Sequence, residues 1–369
     1  MDWLDLLLYL FIAASSIKLL FYILFLKHFA WTKTLNPKQK NIGVSVIICA
    51  KNEARNINAF LPYIIRQDYP EFEIVLVNDN SHDNTLDVME NFALKHNNIK
   101  LVNVKNIEAF WANKKFALTL GIKAAKYDYL LFTDADCKPL SKHWIKNMSS
   151  HFSNEKTIVL GYGAYQKQRS FLNKLIRFET LLTALHYFSF AKLGMPYMGV
   201  GRNLAYRKDE FFKANGFLNH MHIRSGDDDL FINQVATKKN TAVCLTKDSF
   251  TLSIPNNTLK DWIKQKRRHY TTSGFYKQSH KFILSSLYLS NMLFWVLITV
   301  LLILKMHLKW LAVIFLLKCI LQGFLIKKVS KKLNESDLFF LFPVLEICLL
   351  SLQLYIFINN LISKPKHWK

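Results

Sequence analysis

The sequence predicts an α/β domain built on a parallel sheet and flanked by transmembrane helices. Three observations carry this. From residue 42 onward, strand-like and helix-like patterns alternate. Four apolar segments of membrane-spanning length lie outside that region. The run Leu130-Leu131-Phe132-Thr133-Asp134-Ala135-Asp136 closes a buried-strand pattern with two carboxylates one residue apart.

Residues 4–26 are nearly all apolar, and roughly 20 such residues are enough to cross a bilayer. A secretory signal would need a basic start and a small-residue cleavage site, which this segment lacks, so residues 1–30 read as a transmembrane unit. Residues 44–49 form a β-branched run, hence a buried strand. A helix at 56–66 follows, then a strand at 74–77, a helix at 85–96, a strand at 99–104, a helix at 114–126 and a strand at 129–133. Such alternation implies a parallel sheet with helices on both faces. The domain should extend over 42–255. Within it, residues 171–193 read as an amphipathic packing or interfacial helix carrying Glu179 and His186. Residues 256–282 form an interfacial segment. Its helix, 259 to about 275, carries Trp262, Tyr270 and Phe275 for the membrane surface and cations for phosphate or lipid. Residues 283–363 hold two or three further spans, with candidates at 283–304, 308–326 and 338–362. Pro343 and Glu346 mark the last as the one to be re-entrant or broken.

The flanks give an orientation. The N-terminus carries Asp2 and Asp5, and Lys27, Lys33, Lys38 and Lys40 follow the first apolar segment. Positive-inside bias puts the N-terminus outside and the domain in the cytoplasm, at a cell (inner) membrane crossed several times. Lys327, Lys328, Lys331 and Lys332 fit an inside loop, whereas four crossings would put the basic tail 364–369 outside, against the rule. Formal charge is +23, from 49 Lys+Arg against 26 Asp+Glu. Attraction to anionic membrane lipids accounts for it, and an anionic substrate is compatible with it. Nucleic acid is not an expected partner, because no recognition motif accompanies the charge. The five cysteines form no close pair, so neither a disulfide framework nor a zinc site is expected.

In an open α/β sheet, ligands sit outside the carboxyl ends of the strands. Lys51-Asn52-Glu53, Asn78-Asp79-Asn80-Ser81 and Asp134-Ala135-Asp136 all fall there. Asp134 and Asp136 lie on one side of the strand end, and hard oxygen ligands suit Mg²⁺ or Mn²⁺. No glycine-rich phosphate loop follows any of these strands, so a bound diphosphate must be held by metal and cationic side chains. Gly199-Val200-Gly201-Arg202-Asn203 reads as a flexible loop that lets backbone approach a ligand. Asp227-Asp228-Asp229 crowds three carboxylates, which raises their pKa values and suits a general base. The plain alternative is the first turn of a helix, where Asp is favoured by the dipole. Gln265-Lys266-Arg267-Arg268-His269 lies on the amphipathic helix.

Together these motifs resemble the inverting glycosyltransferases of family 2, with the GT-A (nucleotide-diphospho-sugar transferase) fold. More narrowly, the chain is similar to membrane-integrated bacterial members akin to cellulose and hyaluronan synthases. The resemblance covers about residues 42–275. It implies that Glu53 and Asp79 hold the nucleotide base and ribose and that Lys114 lies near the donor, with Asn113 replacing a frequent glycine. It implies that Asp134 and Asp136 serve metal and diphosphate, and that Asp227-Asp228 matches an acidic pair whose second member is the catalytic base. Asp229 leaves that register open by one. Gln265 and Arg268 match a Gln-x-x-Arg-Trp motif in which Arg grips the diphosphate; His269 replaces the Trp that seats the acceptor. Gly201 and Arg202 join the substrate-binding set.

The expected activity is transfer of a sugar from a nucleotide diphosphate sugar to a lipid-linked, amphipathic or glycan acceptor, with inversion. A processive polysaccharide synthase is the alternative within the class. A non-catalytic membrane protein that binds nucleotide sugar is the alternative outside it.

Overall fold

The computed structural model describes residues 3–34, 37–105, 114–223 and 225–363. Asn113 and the tail 364–369, both named above, lie outside the described residues. The strands are β1 (Val44–Ala50), β2 (Phe72–Asp79), β3 (Ile99–Val104), β4 (Tyr129–Phe132), β5 (Cys137–Pro139), β6 (Ile158–Leu160), β7 (Gly163–Tyr165), β8 (Leu204–Arg207), β9 (Thr241–Val243) and β10 (Thr251–Ser253). The helices are α1 (Trp3–Phe25), α2 (Ala54–Ile65), α3 (Thr85–Lys95), α4 (Lys114–Ala124), α5 (Trp144–Ser150), α6 (Phe171–Leu193), α7 (Lys208–Lys213), α8 (Asp229–Val235), α9 (Leu259–Tyr270), α10 (Gln278–Ile303), α11 (Leu308–Lys332) and α12 (Phe342–Ile362).

A seven-stranded sheet runs β3-β2-β1-β4-β8-β6-β9. Successive β1 residues feed opposite cores: Val46 and Ile48 face α2, α3 and α5, while Ile47 faces α4, α6 and α8. This period of two, β-branched and buried on both faces, is what a strand between helical layers requires. Gly121 of α4 lets that helix touch the sheet, because a Cβ there would stand 2.7 Å from Val77 Cγ2. The first four strands are parallel, as expected, but β8 is antiparallel to both β4 and β6. The sheet is therefore mixed. Strict alternation ends at residue 133; after β5 and α5 the chain adds β6 to the sheet, detours through β7 and α6, and returns from the opposite end as β8. A small second sheet, β5-β10-β7, covers that end.

Among the described residues, four helices are long and apolar enough to cross a membrane: 5–30, α10, α11 and 336–362. The last joins a 3₁₀ stretch, Ser336–Leu341, to the helix α12, which itself runs without a break. Pro343 sits in the first turn of α12, where its missing N–H costs nothing. Glu346 is paired rather than stranded, 3.3 Å from Lys18 Nζ and 2.9 Å from Lys318 Nζ. Lys18 also donates to Asn291 Oδ1. The two ammonium groups lie 4.6 Å from the rings of Phe294 and Trp295 respectively. One buried cluster thus ties α1, α10, α11 and α12 together. The apolar core under α6 runs on into these helices through Phe25, Phe29, Ile326 and Leu345.

The amphipathic helix α9 ends at Tyr270, short of Phe275, which lies in a separate turn. Trp262 is buried in protein, not laid on the membrane surface. The cations of α9 also find protein partners. Lys266 reaches Glu179 of α6 at 2.5 Å, and Arg267 holds the end of α12 through Asn360, at 2.9 Å, and Ser363. His186 packs against Phe25 with ring centroids 5.4 Å apart.

Candidate active site

The site forms at the carboxyl edge of β2, β1 and β4. Immediately after β1 and β2 the chain turns through Asn52 and Asn80, with φ of 57° and 49°, a left-handed conformation that Asn tolerates. The two turns clasp each other. Asn52 N–H donates to Ser81 Oγ at 3.0 Å, and His82 N–H donates to Asn52 Oδ1 at 2.8 Å. Glu53 stands at the N-cap of α2, yet its side chain makes no cap; Oε2 instead accepts from Asn56 at 2.5 Å. Asp79 is buried at the end of β2, and burial raises its pKa against the pull of Lys51 and Lys114.

Lys114 opens α4 and bridges two motifs that lie far apart in sequence. Its Nζ is 2.9 Å from Asp134 and 2.9 Å from Asp227. Burial opposes the charge on this lysine, but the two carboxylates hold its pKa well above the ordinary value. In return, and again against burial, Lys114 holds Asp227 below the usual carboxylate range. Lys114, Asp134, Gly201, Asp227 and Asp228 line one open recess, together with the apolar Ile47, Phe132 and Leu204.

The three consecutive acids have three different environments. Asp227 is ion-paired. Asp228 is the N-cap of α8 and accepts from Asp229 N–H and Gly201 N–H, both at 2.7 Å. Burial, then the charges of Asp227 and Asp229, push its carboxyl up to about 7. Asp229 turns away from the recess and accepts from Tyr276 Oη at 2.7 Å and from Thr272 Oγ1. The acids thus start a helix, and their crowding in a buried setting raises the pKa of Asp228.

The glycine loop takes a defined, hydrogen-bonded conformation. Gly201–Asn203 forms a 3₁₀ turn, and Asn203 is wedged beneath it. Asn203 donates to Tyr162 O and Ser249 O, at 2.9 and 2.7 Å, and accepts from Trp144 Nε1 at 3.0 Å. Gly201 meets Asp228 through its backbone N–H, at 2.7 Å. Arg202 stacks on Tyr165, 4.3 Å from the ring centroid, and its pKa is raised despite burial by Tyr165, Cys137, Asp136 and Asp134.

Asp134, Asp136 and Cys137 present ligand atoms within 4.8 Å of one another. Burial, then Asp134, pushes the Asp136 carboxyl up to about 6. Two crowded hard-oxygen groups of this kind fit Mg²⁺ or Mn²⁺. Burial and the neighbouring acids drive the Cys137 thiol well up, so it remains protonated and is a poor partner for such an ion.

Arg268 enters from α9 with its charge felt by Asp227, Asp134 and Asp228, and burial lowers its pKa. His269 is exposed to solvent near the end of α9; desolvation by the surrounding protein, then Lys266 and Arg268, lower its pKa. Gln265 accepts from Asn256 at 2.7 Å and is not among the residues of the recess. Sequence reasoning misses Lys115, whose Nζ donates to His220 O at 2.7 Å and Ile223 O at 2.9 Å and fixes the loop before the acid run. It also misses Tyr165, Thr272 and Tyr276, whose roles depend on contacts that no spacing announces.

Comparison with known proteins agrees with this geometry. The family model "Glycosyl transferase family 2" matches residues 45–212, and "Glycosyl transferase family group 2" matches 129–326, more than half of the chain. The chain belongs to glycosyltransferase family 2. Over 118 residues this family member is 33% identical to poly-β-1,6-N-acetyl-D-glucosamine synthase of Staphylococcus epidermidis, covering 31% of this chain and 27% of that protein. Over 93 residues it is 32% identical to cholesterol galactosyltransferase of Borreliella burgdorferi, covering 25% of each. The matched region is thus about a quarter of each relative's length. Among solved structures, a mannosyltransferase of Pyrobaculum calidifontis, PcManGT, in complex with GDP-Man and Mn²⁺, is similar with a TM-score of 0.60 and 17% identity. That likeness covers 91% of this chain and 96% of that one. At this identity it shows the fold, which is of the GT-A type.

Proposed function

We propose that this family 2 member is a membrane-embedded inverting glycosyltransferase, facing the cytoplasm, that moves a sugar from a nucleotide diphosphate sugar to a lipid-linked or amphipathic acceptor. The observation that carries this is the convergence of Lys114, Asp134, Asp227 and Asp228 on one recess. Asp228 takes the proton of the acceptor hydroxyl. The acceptor oxygen forms its bond to the anomeric carbon as the bond from that carbon to the diphosphate oxygen breaks, and the diphosphate leaves with the electron pair. Attack opposite the leaving group inverts the centre. Asp136 and Asp134 would hold a divalent cation, Mg²⁺ or Mn²⁺, whose charge favours departure of the diphosphate. Lys114 and Arg268 add cationic contacts on the donor and acceptor sides. Glu53, just after β1, and Asp79, at the end of β2, would hold the nucleoside.

Four membrane-length helices beside the site favour an acceptor that is itself held in the bilayer, and one relative's name includes a sterol acceptor. A processive synthase is the second reading, favoured by the polymer-forming relative. His269, smaller and more polar than Trp, favours transfer of one or a few sugars instead. The deciding experiment incubates the purified full-length protein with a panel of nucleotide sugars, with and without Mg²⁺ or Mn²⁺, and measures release of nucleoside diphosphate. Metal-dependent consumption of one donor is expected; consumption of none would overturn the proposal. Reporter fusions at residues 33–45 and 327–336 should read cytoplasm, and labelling from outside at either loop would remove access to cytoplasmic donors.

A further inference from the structure

We infer that one face of α8 positions the base. Asp229 and Asn233 bolt the helix that Asp228 caps onto the segment 272–280, which leads into the membrane-length helix α10. The inference rests on the reading of Asp228 as base. Asp229 and Asn233 are four residues apart and so share a helix face. The Asp229 carboxylate accepts from Leu230 N–H and Tyr276 Oη, each at 2.7 Å, and from Thr272 Oγ1. Asn233 Nδ2 donates to Tyr197 O at 2.8 Å and lies 3.0 Å from His280 Nδ1, while Oδ1 accepts from Lys277 N–H at 3.0 Å.

Asp229, Asn233, Thr272, Tyr276 and His280 are all buried. A dry polar seam costs desolvation that apolar packing would avoid, and it is geometrically demanding because every partner must be satisfied. Such a seam suits a joint whose register matters. This one joins two halves of the site. On one side stands Asp228; on the other, Thr272 Oγ1 lies 2.7 Å from His269 O, within four residues of Arg268. The Asp229–Thr272 contact therefore fixes the base against the diphosphate-side cation. The Asn233–His280 contact fixes both against α10.

The test uses the full-length protein and whichever of UDP-N-acetylglucosamine, UDP-glucose, UDP-galactose and GDP-mannose the wild type consumes fastest. Thr272→Val and Tyr276→Phe remove one hydrogen bond each while keeping shape, so folding should survive. Each should lower kcat about 3–10-fold, the range of one lost buried hydrogen bond, with the donor KM within about twofold of wild type. Asp229→Asn should lower plateau kcat and also move the acid limb of the pH profile to lower pH. Asp227, Asp229, Lys114, Lys115 and Arg268 are the charged groups around Asp228, and removing one negative neighbour lets it ionise more readily. A purely structural carboxylate would lower the melting temperature and leave plateau kcat per folded molecule unchanged; that result overturns the inference. Asp228→Asn separates the two readings. If it is active, the base assignment itself fails. If it is inactive while Thr272→Val and Tyr276→Phe match wild type, only the positioning role fails.

Discussion

The backbone N–H of Gly201 donates to Asp228 Oδ2 across 2.7 Å. A hydrogen bond to the ionised form should make the carboxyl more acidic, yet burial and the flanking Asp227 and Asp229 outweigh it and leave Asp228 near 7. A base must be unprotonated to act. With the folded pKa raised, Asp228 is competent above about 7 and is lost as pH falls through that value. The rate of transfer should therefore rise through an acid limb centred near neutrality. Asp228→Asn should bind donor within a few-fold of wild type but lose about 10²–10⁴ in rate, the usual contribution of a general base. A pH–rate profile with its acid limb near 4 would reject this assignment, and an inactive Asp227→Asn beside an active Asp228→Asn would move the base to Asp227.

Asp136 gives the metal prediction. Its carboxyl is pushed up because it is buried beside Asp134, and a bound cation would relieve both burdens. EDTA should abolish turnover of the wild type, and Mn²⁺ or Mg²⁺ should restore it. Asp136→Ala should be inactive at any metal concentration and should lose binding of Mn²⁺ measured by calorimetry. Full activity in EDTA would count decisively against this site.

What the sequence makes legible follows from which forces are local. The four parallel strands and their helices were readable because buried β-branched runs and helical spacing are properties of neighbouring residues. The acids at 134, 136 and 227–229 were readable as motifs, but not the sorting of the last three into an ion pair, a helix cap with a raised pKa and a buried clasp. That sorting comes from Lys114, Gly201 and Tyr276, which lie 113, 27 and 47 residues away from their partners in sequence. The antiparallel β8 was hidden for the same reason, since strand direction depends on where α6 delivers the chain. Glu346 pointed to a broken helix only because its partners, Lys18 and Lys318, are invisible to a reading of one segment at a time.

Arg268 supplies a third prediction. Burial lowers its pKa, so part of its stabilisation must come from the acids and the anion it meets. A guanidinium can grip a diphosphate through two parallel hydrogen bonds, which an ammonium cannot copy. Arg268→Lys should thus cost about tenfold in kcat/KM, or about 1.4 kcal/mol, although charge is kept. Binding of free nucleoside diphosphate should weaken with it. Product sizing by mass spectrometry tests the neighbouring His269: one or a few added sugars are expected, and a long ladder would establish processive synthesis.

The cluster of Lys18, Lys318 and Glu346 supplies a prediction about stability. All three side chains are under one-tenth exposed, on three different membrane-length helices, with Asn291, Phe294 and Trp295 contributed by a fourth. One carboxylate answers two ammonium groups, and the ring faces offset the remaining positive charge. Removing the carboxylate alone leaves two buried cations opposed. Glu346→Gln should therefore destabilise the helix bundle by about 3–5 kcal/mol, the cost of breaking a buried pair from one side. Replacing all three, as Lys18→Met, Lys318→Met and Glu346→Met, removes every uncompensated charge together and should recover most of that loss. Unfolding midpoints in one detergent compare the variants. If the triple variant is less stable than Glu346→Gln, the cluster contributes net attraction beyond its desolvation cost. If Glu346→Gln matches wild type, the cluster does not hold the four helices together.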